Sequence, residues 1–493
     1  MREINTNRRN GIQLLFMIIL TSLSQVVALY KSRFTAVTFG ASNYMDAYNF
    51  ALNIATFVFA FVTTGITTVI VPAYVKKTEN KIINSFITII YSAVILVILI
   101  ILGFRIPLVK ALTNKGEDFI GLACIFLFVT FLIQGITAFQ AVTTAYFQCI
   151  DHYILPKMVM LLANLLVAVA LIMGVVKSFN AYLLLLVIGA LFNFTFDLVA
   201  AIKLGFRYAP AFAFQSPELK KMLLIFAPTL FSSGLYKIHT LVDTTIAANL
   251  AVGQLTILSY ATQIITMVNN VIIGNLTVYA YPKIVAGLGK KDERKTFWGY
   301  SILFHGAVTL IISVFIGVGY EACSFIFLGG KFTAEDTRML YECVCVYIFG
   351  QQINIIRDLI YRYFYANGNT QETLKNSVVV SVTNIVLSLI LVRFWGLMGI
   401  IIGTVLSSLC SYSMIMIKFK RNYGLGKEFK NVLVEYCKNL IALFASVGLV
   451  QLTKQQLVIR GTVISIFVFG IETAVIYGLV LIFTRSKIRH VKI

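Results

Sequence analysis

The stretch from residue 82 to residue 104, IINSFITIIYSAVILVILIILGF, carries no charged side chain over its whole length. About 20 predominantly apolar residues, rising about 1.5 Å each, are enough to cross roughly 30 Å of hydrocarbon as a helix. A backbone inside hydrocarbon must satisfy its own polar groups, which a helix does within one segment. The stretch therefore predicts a transmembrane helix and determines the fold class for the chain around it.

Similar apolar runs recur along all 493 residues. The chain is 59% hydrophobic and only 12% charged, whereas a typical globular chain is about 25% charged. The runs between polar breaks are 12–38, 47–74, 82–104, 119–148, 155–176, 181–203, 222–249, 255–281, 297–320, 339–365, 374–394, 396–417, 431–452 and 461–484. We therefore predict an all-α polytopic membrane protein with about 14 transmembrane helices.

The net charge of +21 has a simple explanation in this fold class. An even number of spans places both termini on one side, and most basic residues outside the spans lie in loops and tails of that side, as in 290–295 and 485–492. Lys and Arg accumulate in cytoplasmic loops of membrane proteins. The sequence predicts cytoplasmic termini, and the charge requires no nucleic-acid partner.

The chain also contains a weak internal repeat. The tripeptide LYK occurs at 29–31 in the first span and at 235–237 in the seventh, and Pro72 and Pro282 close the spans that follow. Six spans per repeat is even, so the two copies would be parallel and related by an axis along the membrane normal. The predicted parts are 1–206 (helices 1–6), 207–419 (helices 7–12) and 420–493 (helices 13–14 with a basic tail).

Two basic residues lie inside the first predicted span. Lys31 and Arg33 are followed by further apolar residues before the first break at Gly40. A charged side chain deep in a span is costly unless it faces water, a partner or a cavity. A long side chain can instead extend to the membrane surface, an alternative that applies above all to Arg33. Lys31 is therefore a candidate for a functional cation.

The seventh predicted span holds three ionisable side chains within seven residues: Lys237, His239 and Asp243. Lys237 and Asp243 are six residues apart, so they are not neighbours on a helix surface, where contacts fall three or four residues apart. His239 can equally be an interior, hydrogen-bonded histidine. A mid-span carboxylate is a common device for binding a coupling cation or a proton, which is the role we predict for Asp243.

The residue patterns of enzymes are missing from the sequence. It has no glycine-rich phosphate loop, no HExxH motif and no metal-ligand cluster among its four His. None of the predicted loops approaches the length of a soluble domain. The pair Glu335 and Asp336 in one short loop is weak evidence for catalysis. We therefore expect a transporter without a catalytic site.

Several short motifs follow one another along nearly the whole chain. They are FGAS (39–42), DAY (46–48), VPA (71–73), SYA (259–261), GKFTAEDT (330–337), RYFYANGNT (362–370) and GLMG (396–399). With these motifs in this order, the chain resembles the MurJ lipid II flippases, members of the MOP exporter superfamily that also includes Wzx-type polysaccharide exporters. Fourteen spans is the count of that family.

The resemblance implies export of a polyprenyl-diphosphate-linked sugar precursor across the bacterial plasma (inner) membrane by alternating access. Two six-helix lobes would enclose a cationic cavity, and the last two helices would form a groove for the lipid tail. Lys31 matches one cation of the cavity, whereas Gln25, Phe59 and Gln263 stand where the family has arginines. The glycan is therefore left open between lipid II and a capsule, O-antigen-like or teichoic-type unit.

The predicted substrate-binding residues combine the buried charges with this resemblance. They are Lys31, Lys237, Gln25, Arg33, Asp46, His239 and Gln263. Lys31 and Lys237, one in each predicted lobe, are expected to meet the diphosphate. Lys237 and His239 would supply the positive charge that the missing arginines do not.

The resemblance also implies a sodium site between helices 7, 11 and 12. The matching positions are Asp243, Asn384 and Thr404, with Ser388 in place of a second acidic ligand. Hard cations take oxygen ligands, which these side chains offer. We expect no bound cofactor, and Na⁺ or H⁺ as the coupling ion.

Two other functions are open at this stage. A cation-coupled multidrug exporter of the MATE type would share the fold class, but its cavity should be acidic to receive cationic drugs. A membrane-embedded acyl- or glycosyltransferase would need a catalytic cluster in a substantial loop. The expected partners are the lipid-linked glycan and the phospholipid bilayer, with a glycan polymerase or glycosyltransferases as candidate protein partners.

Overall fold

The computed structural model is helical, and the residues that it describes form no β-sheet. It describes the backbone of residues 2–493 except 76–77, 151, 153, 274–283, 285–286, 291, 368, 458, 460 and 488–493. The side chains of 2–15, 18, 61, 64, 67–68, 75, 227–236 and 272–273 are likewise outside the described set. Pro282, one of the two repeat prolines, falls outside it.

The described helices follow the apolar runs of the sequence. They are α1 (Arg2–Phe39), α2 (Asn43–Val75), α3 (Asn80–Gly103), α4 (Arg105–Leu112), α5 (Glu117–Cys149), α6 (Ile154–Ile172), α7 (Phe179–Lys203), α8 (Pro217–Ala248), α9 (Gln254–Val268), α10 (Glu293–Phe327), α11 (Ala334–Ala366), α12 (Thr370–Tyr423), α13 (Phe429–Gln456) and α14 (Thr462–Phe483). A π-helical turn, Asn269–Ile273, continues α9.

Nine of these helices are long and apolar enough to cross a membrane, counting only the described residues. They are α3, α5, α6, α7, α10, α11, α12, α13 and α14. The prediction of an all-α, multi-pass membrane protein is confirmed. The count of fourteen spans stays a prediction, because this criterion identifies nine.

The first compact unit comprises residues 1–256. In it α2 packs on α5 and α8, α1 packs on α6, and α7 packs on α5 and α6. Its core includes large buried aromatic side chains, and the rings of Phe59 and Phe131 lie 5.6 Å apart. Phe59, which stands where the resemblance places an arginine, is therefore a core residue of this unit.

The second compact unit comprises residues 257–493. Here α10 packs on α11, α13 and α14, α11 packs on α12, and α13 packs on α14. The division at 256–257 follows the density of contacts, whereas the predicted boundary at 206–207 separates functional lobes. The three predicted parts of the chain therefore stay a prediction.

A helical hairpin within α12 shows why the sequence has glycines at 396 and 399. Gly396 adopts φ 52° and ψ −131°, so the helix breaks there; this left-handed φ favours glycine. A Cβ at Gly399 would come within 2.2 Å of the Leu391 carbonyl oxygen. The two limbs thus pack so closely that only glycine fits at this position.

The ends of the hairpin are joined by an ion pair. Lys418 near the end of α12 lies 2.7 Å from Glu372 near its start. Further along, Nδ2 of Asn376 donates to Oγ of Ser411 at 2.8 Å. The limbs are therefore antiparallel, and their turn lies between the predicted spans 374–394 and 396–417.

Candidate functional site

Lys31 lies on α1, half-buried, and points to α6. Its Nζ donates a hydrogen bond of 2.6 Å to Oδ1 of Asn164. No carboxylate of the described residues forms an ion pair with Lys31. An amide orients an ammonium without neutralising it. Lys31 is thus an ammonium that no carboxylate of the described residues neutralises.

Gln25 and Arg33 are also on α1, and both are half-buried. They lie six residues before and two residues after Lys31, so α1 presents three polar side chains within about two and a half turns. Neither the structure nor the packing of α1 on α6 assigns a ligand to Gln25 or Arg33. Their substrate-binding roles stay predictions.

Asp46, in the first turn of α2, is 2% exposed and fully engaged in hydrogen bonds. Its Oδ2 accepts from the Gly253 backbone N–H at 2.7 Å. Its Oδ1 accepts from the Thr256 backbone N–H at 2.8 Å and from the Thr256 hydroxyl at 2.7 Å. We name this group of three residues the Asp46 latch. Asp46 caps the start of α9, a contact that the predicted role in substrate binding did not include.

The backbone of Gly253 in the latch also lies close to the backbone of Ala41. Gly253 has φ +90°, and a Cβ at this position would lie 2.7 Å from the carbonyl oxygen of Ala41. Ala41 belongs to the FGAS motif between α1 and α2. The FGAS and DAY motifs therefore pack the turn between α1 and α2 on the turn before α9.

Lys237 and His239 on α8 are half-buried, and Asp243 is 6% exposed. Gln263, on α9 in the second unit, is half-buried. No ion pair joins Lys237 to Asp243 in the described part of the chain. The functional roles of these four residues stay predictions.

Asn384 and Thr404 face each other across the α12 hairpin. Nδ2 of Asn384 donates to Oγ1 of Thr404 at 3.0 Å. Oδ1 of Asn384 and Oγ of Ser388 are buried, and neither has a hydrogen-bond partner among the described residues. The structure thus brings together two of the three predicted sodium ligands, Asn384 and Thr404, next to buried oxygen atoms that have no donor among the described residues. The third predicted ligand, Asp243, belongs to the first unit.

Other metal chemistry has no support in the described residues, which contain no group of three or more His, Cys, Asp or Glu side chains able to hold a metal ion. A groove of about 480 Å³ does lie between α4 and α5. Arg105 and Glu117 line it together with apolar side chains such as Phe128. It contains none of the predicted site residues.

The GKFTAEDT motif forms the start of α11. The hydroxyl of Thr333 accepts from the Asp336 backbone N–H at 3.1 Å, and the Asp336 carboxylate accepts from the Thr333 backbone N–H at 2.9 Å. This reciprocal capping box satisfies N–H groups that a helix start leaves open. Asp336 is therefore a capping residue, which explains the acidic pair without catalysis.

The RYFYANGNT motif includes the end of α11. Its Tyr363 is one of three aromatic residues that surround Arg294 of α10 and that we call the aromatic cage. The Arg294 guanidinium lies 5.0 Å from the Tyr363 ring, 5.2 Å from the Phe419 ring and 5.8 Å from the Tyr423 ring. It also donates to the Tyr423 carbonyl at 2.5 Å. Cations are attracted to aromatic faces, so the cage ties together α10, α11 and α12.

Sequence reasoning missed two polar partners inside the first unit. Asn164, which holds Lys31, and Gln140, which hydrogen-bonds Asp197, are neutral residues within apolar runs. An amide in a predicted span is itself a signal, because a buried polar group requires a partner. The sequence alone does not show which charged residue each amide meets.

A helical chain with nine described helices long and apolar enough to cross a membrane, and with a half-buried cation on α1, defines a polytopic membrane protein. Residues 35–471 match the family model described as Lipid II flippase MurJ. The chain belongs to this family, which confirms the resemblance given by its motifs. It is thus a flippase for a lipid-linked precursor and not an enzyme.

Relatives in several bacteria are similar to this chain. A probable lipid II flippase MurJ of Borreliella burgdorferi is 20% identical over 87% of each chain. A protein of the same name from Thermotoga maritima is 23% identical over 83% of this chain and 85% of that protein. The match to the Vibrio cholerae protein of this name is 20% identical over 46% of this chain and 44% of that protein.

Solved structures show the same fold. A lipid II flippase MurJ in an inward closed conformation superposes with a TM-score of 0.81, at 19% identity, over 96% of this chain and 99% of that one. An inward-facing MATE family multidrug resistance transporter of the MOP superfamily gives 0.65 at 14% identity, over 83% of this chain and 95% of that one. At these identities the likeness concerns the fold alone.

Proposed function

We propose that the protein moves a polyprenyl-diphosphate-linked sugar precursor from the cytoplasmic to the outer leaflet of a bacterial inner membrane by alternating access. The observation that carries the proposal is the un-neutralised, half-buried ammonium of Lys31. A diphosphate bears about two negative charges, and burying it unpaired in hydrocarbon would be prohibitive. A cationic path for the headgroup, with the polyprenyl tail left in lipid, avoids this cost.

The proposed cycle uses the two predicted cations, Lys31 on α1 and Lys237 on α8. Headgroup binding neutralises their mutual repulsion and favours closure on the cytoplasmic side. We also propose that the Asp46 latch, which lies within the first unit, releases the turn between α1 and α2 from the start of α9 during this cycle. With the cell interior negative, moving each negative charge outward gains about 2.3 kcal/mol per 100 mV, so the anion moves outward along the electrical gradient.

The proposed topology has both termini in the cytoplasm, in agreement with the basic loops and tail. We propose that α13 and α14 form the groove for the lipid tail, as the resemblance to the family implies. Glycosyltransferases that build the precursor and a polymerase that consumes it are the proposed functional partners.

The identity of the glycan is tested by complementation. The relatives named above carry lipid II in their names, whereas Gln25 and Gln263 here are neutral where the resemblance places arginines. We propose an oligosaccharide unit or a lipid II-like precursor. Restored growth of a cell depleted of its lipid II flippase would identify lipid II, and restored surface polysaccharide in a cell lacking its oligosaccharide flippase would identify an oligosaccharide. Failure of both, with normal membrane insertion, would contradict the proposed function.

For coupling, we propose that Asp243 binds a cation that resets the carrier after release, and that Asn384 and Thr404 offer oxygen ligands of the kind a hard cation takes. Asp243→Asn is expected to slow export about tenfold at low sodium or at alkaline pH, because an amide binds a hard cation less strongly than a carboxylate. Export is measured in vesicles across a series of sodium concentrations and pH values. Full activity of the variant in all of these conditions would contradict the coupling role, and Asp118→Asn provides an exposed acidic control.

A further inference from the structure

Three polar side chains join α5 and α7 inside the first unit. Asp197 on α7 is 0% exposed, and its Oδ2 accepts a hydrogen bond from Nε2 of Gln140 on α5. Oε1 of Gln140 accepts from Nδ2 of Asn193 at 3.1 Å. Asn193 and Asp197 are four residues apart and lie on one face of α7. Hydrogen bonds thus join Asp197 to Gln140 and Gln140 to Asn193, and no hydrogen bond joins Asn193 directly to Asp197.

The two oxygens at the open end are both acceptors. Oδ1 of Asp197 and Oδ1 of Asn193 are buried, and neither finds a hydrogen-bond partner in the described part of the chain. None of the ion pairs between described residues includes Asp197. A buried carboxylate without a cation is costly within a membrane. The arrangement lacks one positive charge and one hydrogen-bond donor.

We propose that Asp197 is a proton-binding site, at which Oδ1 takes up one proton from water and donates it in a hydrogen bond to Oδ1 of Asn193. The proton neutralises the carboxylate and closes the ring Asp197–Gln140–Asn193. On release, the O–H bond breaks, the electron pair stays on Asp197 and the proton returns to water. A metal cation fits less well, because hard cations collect about six oxygen ligands and this ring leaves two open.

The helices packed on α5 and α7 contribute other titratable groups. Within ten residues of Gln140, α5 itself has Tyr146 and Cys149, which donate to the carbonyls of Leu204 and Ala145. On α3, Tyr91 donates to the Phe139 carbonyl at 3.1 Å, and on α2 the Tyr74 ring lies 5.5 Å from that of Tyr146. The helix α6 contributes Lys157, and Lys203 lies near the end of α7. Neither lysine is in an ion pair with Asp197, so the titration of Asp197 depends chiefly on burial and on the two amides.

This site is separate from the predicted coupling site at Asp243 on α8, and it does not depend on which lipid is carried. Proton binding closes a ring that spans α5 and α7, so it strengthens the pairing of these helices. Release of the proton leaves both Oδ1 atoms without a donor and a charge buried, which weakens that pairing. The proton occupancy of Asp197 thus links pH to the stability of the first unit.

The test is thermal unfolding of the purified full-length protein between about pH 5 and about pH 8. The folded state binds a proton that the unfolded carboxyl has released, so stability should fall as pH rises, by about 2–4 °C in Tm. In Asp197→Asn, the amide can donate to Asn193 without a proton, and this decrease should disappear. The exposed control Asp118→Asn should retain it. An unchanged decrease in Asp197→Asn would overturn the proposal.

Two further measurements keep the test decisive if Asp197→Asn does not fold. Asn193→Ala removes the acceptor of the proton, so the midpoint of the Tm decrease should move to lower pH; an unmoved midpoint contradicts the proposal. Infrared spectra of the wild type should show a protonated-carboxyl C=O band that disappears through the same pH range. A Tm that instead rises with sodium at constant pH, only when Asp197 is present, would identify a metal-cation site and overturn the proton assignment.

Discussion

Lys31→Met is expected to reduce export of the lipid-linked precursor about 30-fold or more. Losing one partner of a buried charge contact costs about 2–5 kcal/mol, and each 1.4 kcal/mol is about a factor of ten. Met has nearly the same length, so the packing of α1 on α6 is retained. The measurement is the rate at which the precursor reaches the outer leaflet, normalised to the amount of protein in the membrane.

Matched variants separate charge from position. Lys31→Arg keeps the charge and should retain a substantial part of the activity. Asn164→Ala removes only the amide that orients Lys31 at 2.6 Å, so a smaller decrease is expected. Lys420→Met removes an exposed lysine near the end of α12 and should behave as wild type. Normal export by Lys31→Met would refute the role of this residue in binding the headgroup.

Asp46→Ala is expected to release the turn between α1 and α2 from the start of α9 and to reduce export strongly. The substitution leaves the N–H groups of Gly253 and Thr256 without their acceptor. Each buried donor without a partner costs about 1–3 kcal/mol, so the closed contact should lose about 2–6 kcal/mol in total. The population of the open state would then rise by more than tenfold.

Opening is measured by the reaction of a cysteine at Ser42 with a membrane-impermeant thiol reagent added from outside. The native cysteines are first replaced by alanine, because Cys410 and Cys437 are exposed. Asp46→Ala should accelerate labelling, whereas Asn43→Ala, on the same turn but outside the latch, should not. Equal labelling of Asp46→Ala and the parent protein would show that the latch does not control opening.

The sequence allowed the fold class to be predicted because the hydrocarbon of a bilayer restricts a chain to few solutions. Long uncharged runs such as 82–104 must be helices, and the structure has α3 there. Finer features were less accessible. The short helix α4 was not predicted, since its eight residues lack a periodic signal, whereas the break at Gly396 was visible in the dipeptide Trp395-Gly396.

The candidate site was predictable only in part. Costly charges within apolar runs identified Lys31 and Asp243, because a membrane penalises such charges wherever they occur. Motif resemblance identified Asp46, but not its partners at Gly253 and Thr256, which are more than 200 residues away. Similarly, the distinctive motifs at 330–337 and 362–370 were visible, while their structural roles as a helix cap and part of an aromatic cage were not.

By itself, the sequence determined that this protein is a multi-pass helical transporter and that a few charges inside the spans require an explanation. Only the tertiary structure decided what the buried charges meet: an amide for Lys31, three donors for Asp46 and a second amide, that of Gln140, for Asp197. The physical reason is that hydrophobicity acts on each segment separately, whereas hydrogen bonds depend on which distant segments come together.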